Sequence, residues 1–591
     1  MYRAPLKDIQ FALDEVIGRS ALDGCPAFGD YSPDSAGSIL EEAARYAEDV
    51  LDPLWQSADR EGAQWSAEGV RTPQGFKQAY TQLVEGGWTT LSGPVAFGGQ
   101  GLPSLLCTAV EEVLAAGNLA FSLCPLLTGG AAAAILAVGT PAQQASYLPK
   151  LIAGVWTGSM NLTEPQAGSD LGLLRTRAVR ADGHYRLFGQ KIFITYGEHD
   201  LAENIVHLVL ARLEGAPAGI KGLSLFIVPK FLPNPDGSLG LRNDARCTGI
   251  EHKLGIKGSP TAQMSFGEKD GAIGELLGVE NRGLETMFIM MNAARLGVGV
   301  EGYAVGERAY QRALDWARNR VQGIPVGAMD AVPQTIDHHA DVKRMLLGMR
   351  SQIEACRYLT LYGAAQLDRA AGHADASVRS AAQARIDLLI PIIKGCCSEV
   401  GLEVASVGIQ VHGGMGFIED TGAAQSLRDA RIGTIYEGTT GIQAADLAGR
   451  KFARDRGTAL LALGAEIRAE LSLPVPAAVE SLRLAVLAAL ATYERTATGY
   501  LQAMTADPRV LGAVSVPFLR LSGLVLGGWL QVRAATRAAN LLAAGGDADF
   551  FKGKLQSARF YTEHLLPLAD GYAGVIGRGA AAVVDADPAL F

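Results

Sequence analysis

The sequence predicts a mainly α-helical protein with a central β domain. Three observations carry that prediction. Helical periodicity runs through residues 36–155. β-type runs then fill residues 156–280. Helical texture returns near residue 281 and persists to the C-terminus. At 591 residues the chain exceeds the size at which one core keeps growing, so several structural units are expected.

Residues 1–35 begin with a short amphipathic segment, Ile9 to Ile17, followed by a Gly/Pro/Ser/Asp-rich stretch. They read as an extension packed on the rest. The 36–155 unit is expected to be all-helical. Ile39, Leu40, Ala43, Ala44, Tyr46, Ala47, Val50 and Leu51 follow one helix face, and the Ala/Leu-rich run 105–138 reads as helix hairpins. In 156–280, runs such as Ile205-Val206-His207-Leu208-Val209-Leu210 and Leu223-Ser224-Leu225-Phe226-Ile227-Val228 read as strands, and Asp182-Gly183 as a hairpin turn. Antiparallel strands without intervening long helices imply a small barrel or sandwich. In 281–455, residues 283–319, 336–371 and 376–404 read as long helices of a bundle, with Pro391 as a kink. Pro474 and Pro476 mark the join to a further helical unit within 456–591, with helices expected over 481–504, 514–543 and 549–571.

Composition narrows the function. Hydrophobic residues make up 48% of the chain and charged residues 19%, so large buried cores are feasible. A net charge of −9, with no basic run, argues against nucleic acid or an anionic membrane as partner. The seven cysteines include no Cys-x-x-Cys pair and read as buried thiols of a reducing compartment. The N-terminus lacks an apolar signal core, and no stretch is expected to reach the ~20 apolar residues of a membrane span. The expectation is a cytoplasmic protein without an integral membrane segment and without a metal site. Gly297-Val298-Gly299-Val300-Glu301-Gly302 fits G-x-G-x-x-G, but a dinucleotide fingerprint follows a strand and opens a helix. Here Met287 to Ala294 read as helix interior, so the glycines are expected to permit close helix packing instead.

Several stretches carry chemistry. Residues 160–170 (Met160-Asn161-Leu162-Thr163-Glu164-Pro165-Gln166-Ala167-Gly168-Ser169-Asp170) form a polar, turn-rich loop, suited to the polar edge of a heterocycle and to phosphate. Phe193-Ile194-Thr195 ends a strand. Gln410-Val411-His412-Gly413-Gly414-Met415-Gly416 follows a helix, with glycines that allow close backbone approach to a ligand. His412 is expected to be structural. Asn292 and Arg295 lie one helical turn apart. In Tyr436-Glu437-Gly438-Thr439-Thr440, either threonine can cap the helix that follows. That leaves Glu437 on a loop among aromatic and aliphatic neighbours. Burial there raises a carboxylate from about 4.3 toward neutrality, as a general base for a carbon acid requires.

In order and spacing, from about residue 40 to 455, these motifs resemble the acyl-CoA dehydrogenase family. The added tail resembles the longer bacterial branch, which includes methylthiopropanoyl-CoA dehydrogenases and some fatty acyl-CoA dehydrogenases. The resemblance implies FAD as cofactor, an acyl-CoA substrate and electron-transferring flavoprotein as acceptor. It implies that Glu437 removes the α-proton, with its backbone N–H on the thioester carbonyl. It places Met160, Leu162, Thr163, Gly168 and Ser169 at FAD, with Ser169 also at acyl-CoA. Phe193, Ile194 and Thr195 fall beside the isoalloxazine, and Thr439 and Thr440 line the flavin. Gln410, Gly413 and Gly414 hold the ADP half of the other subunit's FAD, together with Arg320 and Gln322; Gln334 is a further candidate. Asn292, Arg295, Tyr436 and Gly438 fall at the substrate. Ala294 occupies a helix position where some members carry the catalytic glutamate, which leaves Glu437 without a rival. The chain departs from the family at Gln166 (commonly Gly), Asn292 (commonly Asp) and Gly441 (often Gln). It also lacks an aromatic before Gly323. The expected substrate is a medium- or long-chain fatty acyl-CoA, with 3-methylmercaptopropionyl-CoA as alternative. An oxidase and a nucleic-acid-associated flavoprotein are lesser readings. The tail is expected to replace half of the usual tetramer contacts, giving a homodimer.

Overall fold

The computed structural model describes residues 1–29, 31–329 and 332–591. They form two compact units. One comprises Arg45–Leu102 and Gly117–Gly297; the other comprises Met1–Ala44, Pro103–Ala116 and Val298–Phe591.

The first unit is built on an eight-stranded sheet. Strand His184–Thr195 pairs with Ala272–Leu277, which pairs with Leu223–Pro229, which pairs with Asn204–Leu213. Strand Arg177–Ala181 joins both Asn204–Leu213 and His184–Thr195, so these five strands close into a ring. Closure pairs each of these five strands on both sides, and the sheet path ends at Ala245–Ile250 and Trp156–Asn161. The all-antiparallel expectation fails at two pairings. Trp156–Asn161 and Arg177–Ala181 both run parallel to Asn204–Leu213. Leu187, Val209, Ala211, Phe226, Val228 and Ala262 fill one core of this unit. A second core joins Leu208, Leu225 and Trp156 of the sheet to Leu127, Ala131 and Ile135 of helix Leu119–Val138. Nor is the 36–155 region all-helical, since Gln64–Ser66 and Gly69–Arg71 form a short hairpin.

The second unit is helical. Its long elements are the Val298–Asn319 portion of helix Gly283–Asn319, then Ala340–Gly372 and Ala376–His412. The last passes through Pro391 and extends eight residues beyond its expected end. The glycines of the rejected fingerprint lie inside the Gly283–Asn319 helix. Gly302 and Gly401 are in backbone contact: a Cβ on Gly401 would lie 2.0 Å from the Gly302 carbonyl oxygen.

The C-terminal helices, including Glu480–Ala506 and Val510–Ala543, belong to the same compact unit as the bundle. Phe518 packs on Phe452, Tyr493 and Tyr500, and Trp529 meets Tyr362 edge-on at 5.1 Å. The N-terminal extension joins them through Phe11 on Phe550 (5.7 Å) and through Asp8, which pairs with the buried Lys554. The span expected at 549–571 is divided into Ala548–Phe560, a π-helical turn at Tyr561–Leu565, and Leu568–Arg578.

Two helices overturn the expectation that no segment is long and apolar enough to cross a membrane. They are Leu119–Val138 (mean hydropathy 1.9) and Val510–Ala543 (1.8). Both spend their apolar residues on the protein cores just described. Among the described residues no group of three or more His, Cys, Asp or Glu is placed to hold a metal ion. All seven cysteines are free thiols, with Cys107, Cys247 and Cys396 only half-buried.

Candidate active site

The loop carrying Glu437 lies in the helical unit and is held in an unusual shape. Glu437 has φ 55° and Gly438 φ 91°, two consecutive left-handed residues. A non-glycine residue held so costs about 1–3 kcal/mol and persists only where its surroundings enforce it. Here they do. The buried amide of Gln443 donates to the Glu437 carbonyl at 3.0 Å, and Lys394 Nζ donates to the Gly438 carbonyl at 2.6 Å. Thr439 caps helix Thr440–Ala445, its hydroxyl accepting from Ile442 N–H. The Thr440 hydroxyl, expected at the flavin, instead donates to Glu399 at 2.6 Å, leaving its methyl and backbone for other contacts. Glu437 itself is half-buried.

Tyr436, expected at the substrate, turns its hydroxyl into the protein, where it donates to Glu301 Oε2. Glu301 is 3% exposed, and its Oε1 has no hydrogen-bond partner among the described residues. Burial raises its carboxyl to about 8. The Glu111 and Glu437 carboxylates add to the rise, while the Tyr436 bond and the Lys394 ammonium oppose it. Glu111 is itself raised to about 7 by burial. Neither residue belongs to a chemistry-bearing motif of the sequence. Glu301 lies inside the Gly297–Gly302 glycine pattern, which is not a dinucleotide fingerprint. The available signal was a lone carboxylate among Val298, Val300 and Tyr303 on an apolar helix.

The β unit presents the second group of expected residues. Met160 and Leu162 lie at the end of strand Trp156–Asn161 and just beyond it, and Phe193, Ile194 and Thr195 end strand His184–Thr195. A buried ion pair ties the two strand ends together. Lys191 Nζ lies 2.9 Å from Glu164 Oε1 and 2.9 Å from the Leu162 carbonyl, and Ile192 N–H donates to the Thr163 carbonyl at 2.9 Å. Burial opposes the Glu164 charge, but Lys191 and the donors at Arg175 and Thr176 outweigh it and hold the carboxyl at about 2. Gln166, the departure from the family pattern, donates to Glu164 at 2.7 Å. Phe193 is 58% exposed at φ 60°, so it is not a core aromatic. The hydroxyls of Thr163, Ser169 and Thr195 make no hydrogen bond to any described residue, and Gly168 has open space where a Cβ would stand. Arg295 is 4% exposed and stacks over Phe288, so it is not part of an exposed polar face; Asn292 is half-buried.

In the helical unit, Arg320 and Gln322 are exposed in the chain just beyond helix Gly283–Asn319, and Gln410 is exposed in the last turn of helix Ala376–His412. Gln410 is the third residue from the end of its helix rather than beyond it. Gln322 N–H donates to the Gln334 carbonyl at 3.0 Å, which puts Gln334 beside the expected pair. His412 stacks on Trp316 at 5.2 Å and bonds the Gly408 carbonyl at 2.7 Å, a structural arrangement. Gly413, at φ 61°, and Gly414 have open space where a side chain would begin.

Taken unit by unit, the exposed aromatic and unspent hydroxyls of the β unit suit the polar edge of a flavin, and the exposed arginine and open glycine backbone of the helical unit suit a dinucleotide phosphate. Comparison with known proteins agrees. Residues 34–155, 159–268 and 281–452 match the N-terminal, middle and C-terminal domains of acyl-CoA dehydrogenases, and 463–587 match the acetyl-CoA dehydrogenase C-terminal-like domain. The chain belongs to the acyl-CoA dehydrogenase family. It is therefore an FAD-dependent oxidoreductase. It is 46% identical over 571 residues to the 3-methylmercaptopropionyl-CoA dehydrogenase of Ruegeria pomeroyi, covering 96% of each chain. It is 36% identical over 612 residues to the broad-specificity linear acyl-CoA dehydrogenase FadE5 of Mycobacterium tuberculosis, covering all of both. Caenorhabditis elegans ACDH-11, solved with C11-CoA, shares the fold at a TM-score of 0.77 and 20% identity, over 100% of this dehydrogenase and 96% of that chain.

Proposed function

We propose that the protein dehydrogenates 3-methylmercaptopropionyl-CoA at its α,β-bond, with Glu437 as the base. The observation that carries the substrate is the 46% identity to a dehydrogenase of that name across 96% of both chains. This reverses the order expected from the sequence, where medium- or long-chain fatty acyl-CoA came first. The second reading, a straight-chain acyl-CoA, is supported by the end-to-end match to the linear acyl-CoA dehydrogenase FadE5.

The chain's own residues divide the work. Glu437 takes the α-proton, and its backbone N–H holds the thioester carbonyl as enolate charge develops. The left-handed turn at Glu437 and Gly438, fixed by Gln443 and Lys394, sets the direction of the carboxylate. Met160, Leu162, Thr163, Gly168, Ser169, Phe193, Ile194 and Thr195 would hold FAD, with Thr439, Thr440, Arg320, Gln322, Gln410, Gly413 and Gly414 contributing. Bound FAD supplies the acceptor for the β-hydride. Asn292, Arg295 and Gly438 are proposed at the substrate. Electron-transferring flavoprotein is the proposed acceptor, in keeping with the family reading, and the proposed location is cytoplasmic. A homodimer is proposed because Met415, Phe417 and Ile418, beside Gly413 and Gly414, are exposed apolar residues that a second copy would cover.

The test is a dye-coupled steady-state assay of FAD-loaded protein with 3-methylmercaptopropionyl-CoA and straight chains from four to eighteen carbons. Glu437→Gln is expected to keep its flavin and lose roughly 10²–10⁴-fold in kcat. A highest kcat/KM on a straight chain would overturn the thioether assignment. Full turnover by Glu437→Gln would overturn the base.

A further inference from the structure

The loop that carries Glu437 is clamped at three points, and two are backbone anchors: Gln443 on the Glu437 carbonyl and Lys394 on the Gly438 carbonyl. The third reaches the residue on the other side of the turn. Tyr436 extends its hydroxyl to Glu301, 135 residues earlier in the chain. We propose that Glu301 is a positioning residue of the dehydrogenation site, holding through Tyr436 the left-handed turn that aims Glu437. The proposal rests on Glu437 being the base.

The placement of Glu301 is hard to explain by packing alone. It occupies a fully buried stretch of helix between Val300 and Gly302. An apolar residue there would avoid burying a carboxyl group, which is costly unless it is hydrogen-bonded. Only one of its oxygens, the one facing Tyr436, has a hydrogen-bond partner among the described residues. The groups of this cluster come from four elements. Glu301 itself lies on Gly283–Asn319, Glu111 on Ser104–Gly117, Lys394 on Ala376–His412, and Tyr436 and Glu437 on the loop.

Two other carboxyl groups against one ammonium disfavour a negative charge on Glu301. Burial, reinforced by Glu111 and Glu437, therefore keeps the Glu301 proton on up to about 8. In the neutral form Glu301 adds no charge repelling the Glu437 carboxylate and still bonds the Tyr436 hydroxyl. Above that pH its ionisation sets two carboxylates against each other across Tyr436. Without Glu301 the tyrosine hydroxyl loses its partner, and the turn is held from one side only. A misplacement of about 1 Å at a catalytic group costs up to roughly 10²-fold in rate.

The experiment uses FAD-loaded protein with its best thioester, comparing wild type, Glu301→Ala, Glu301→Gln, Tyr436→Phe and the Glu301→Ala/Tyr436→Phe double variant. Glu301→Ala is expected to lower kcat about 10- to 100-fold with flavin content unchanged and KM within about twofold. Glu301→Gln, which keeps an acceptor for Tyr436, is expected to restore most of the kcat. It should also erase the inflection expected near pH 8 in the wild-type profile. The double variant should be no slower than the slower single variant, because both remove one link.

A readout independent of turnover is thermal stability against pH. A folded carboxyl raised above its unfolded value of 4.5 carries stability that is present below that value and lost as pH rises through about 8. Glu301→Gln should flatten that decline. Wild-type kcat in Glu301→Ala, multiplicative losses in the double variant, or a persisting inflection in Glu301→Gln would each overturn the proposal. If Glu301→Ala does not fold, Tyr436→Phe at wild-type kcat overturns it. A wild type inert toward every thioester would overturn the reading of Glu437 as well; an active wild type with Glu301→Ala unimpaired overturns this proposal alone.

Discussion

The Thr440 hydroxyl donates to Glu399 Oε1 at 2.6 Å. The other oxygen of Glu399 receives Arg520 Nη2 at 2.8 Å, from helix Val510–Ala543. One carboxylate thus joins the helix behind the Glu437 loop to the C-terminal helices that shorter family members lack. Glu399→Ala leaves a part-buried hydroxyl and a guanidinium without their acceptor. It is expected to cost about 1–3 kcal/mol in urea denaturation. Arg520→Ala should cost less than about 1 kcal/mol, because the arginine is partly solvated.

The Glu164–Lys191 pair makes a sharper prediction. Lys191 is fully buried, and Glu164 nearly so. Removing one partner of such a pair costs about 3–5 kcal/mol, so Lys191→Met should be severely destabilised. The sign with pH follows from the depressed carboxyl. The contribution of Glu164 is present above its unfolded value of 4.5 and lost as pH falls through about 2. Acid titration of the thermal midpoint should show that limb in wild type. Glu164→Gln should show a shallower one.

Phe193 separates a structural from a cofactor role. Its ring is 58% exposed and its backbone left-handed, so core packing has little to lose. Phe193→Ala is expected to change stability by no more than about 0.5 kcal/mol and to release flavin on gel filtration. Retained flavin, with a large stability loss, would make it a core residue.

What the sequence made legible was whatever local periodicity dictates. The 283–319 helix is legible to its ends because apolar residues recur along it and no proline interrupts it. Periodicity carries the 376–412 helix only to Val404, with glycines 401 and 408 around that point. Gly408 instead packs near the Ala309 carbonyl, at 3.5 Å for an added Cβ, and the helix runs on. The hairpin at Gln64–Ser66 and Gly69–Arg71 has strands of three residues, too short for an alternating pattern. The parallel pairing of Trp156–Asn161 with Asn204–Leu213 depends on strand neighbours, which periodicity does not encode. At the proposed site, the reading of Glu437 rests on its own segment. Glu301 and Lys394 reach that segment only through long-range packing, whereas Gln443 lies six residues from Glu437, and nothing in the segment around Glu301 points to Tyr436.

The contact between glycines 302 and 401 supports a final prediction. A Cβ on Gly401 would lie 2.0 Å from the Gly302 carbonyl oxygen, and one on Gly302 would lie 2.5 Å from the Cys397 carbonyl oxygen. Both obstacles are backbone atoms, so no side-chain rotation relieves them and the helices must separate. Overpacking typically costs about 1–3 kcal/mol, and Gly401→Ala is expected at or above the top of that range. Separation would also carry Glu301, the residue before Gly302, relative to Tyr436, so kcat should fall together with stability. Gly499→Ala, in helix Glu480–Ala506 with open space around it, is the control. There the added methyl meets nothing, and helix propensity alone should stabilise the protein by about 0.5–1 kcal/mol. Equal behaviour of the two variants in chemical denaturation would show that the helices do not pack through their glycines.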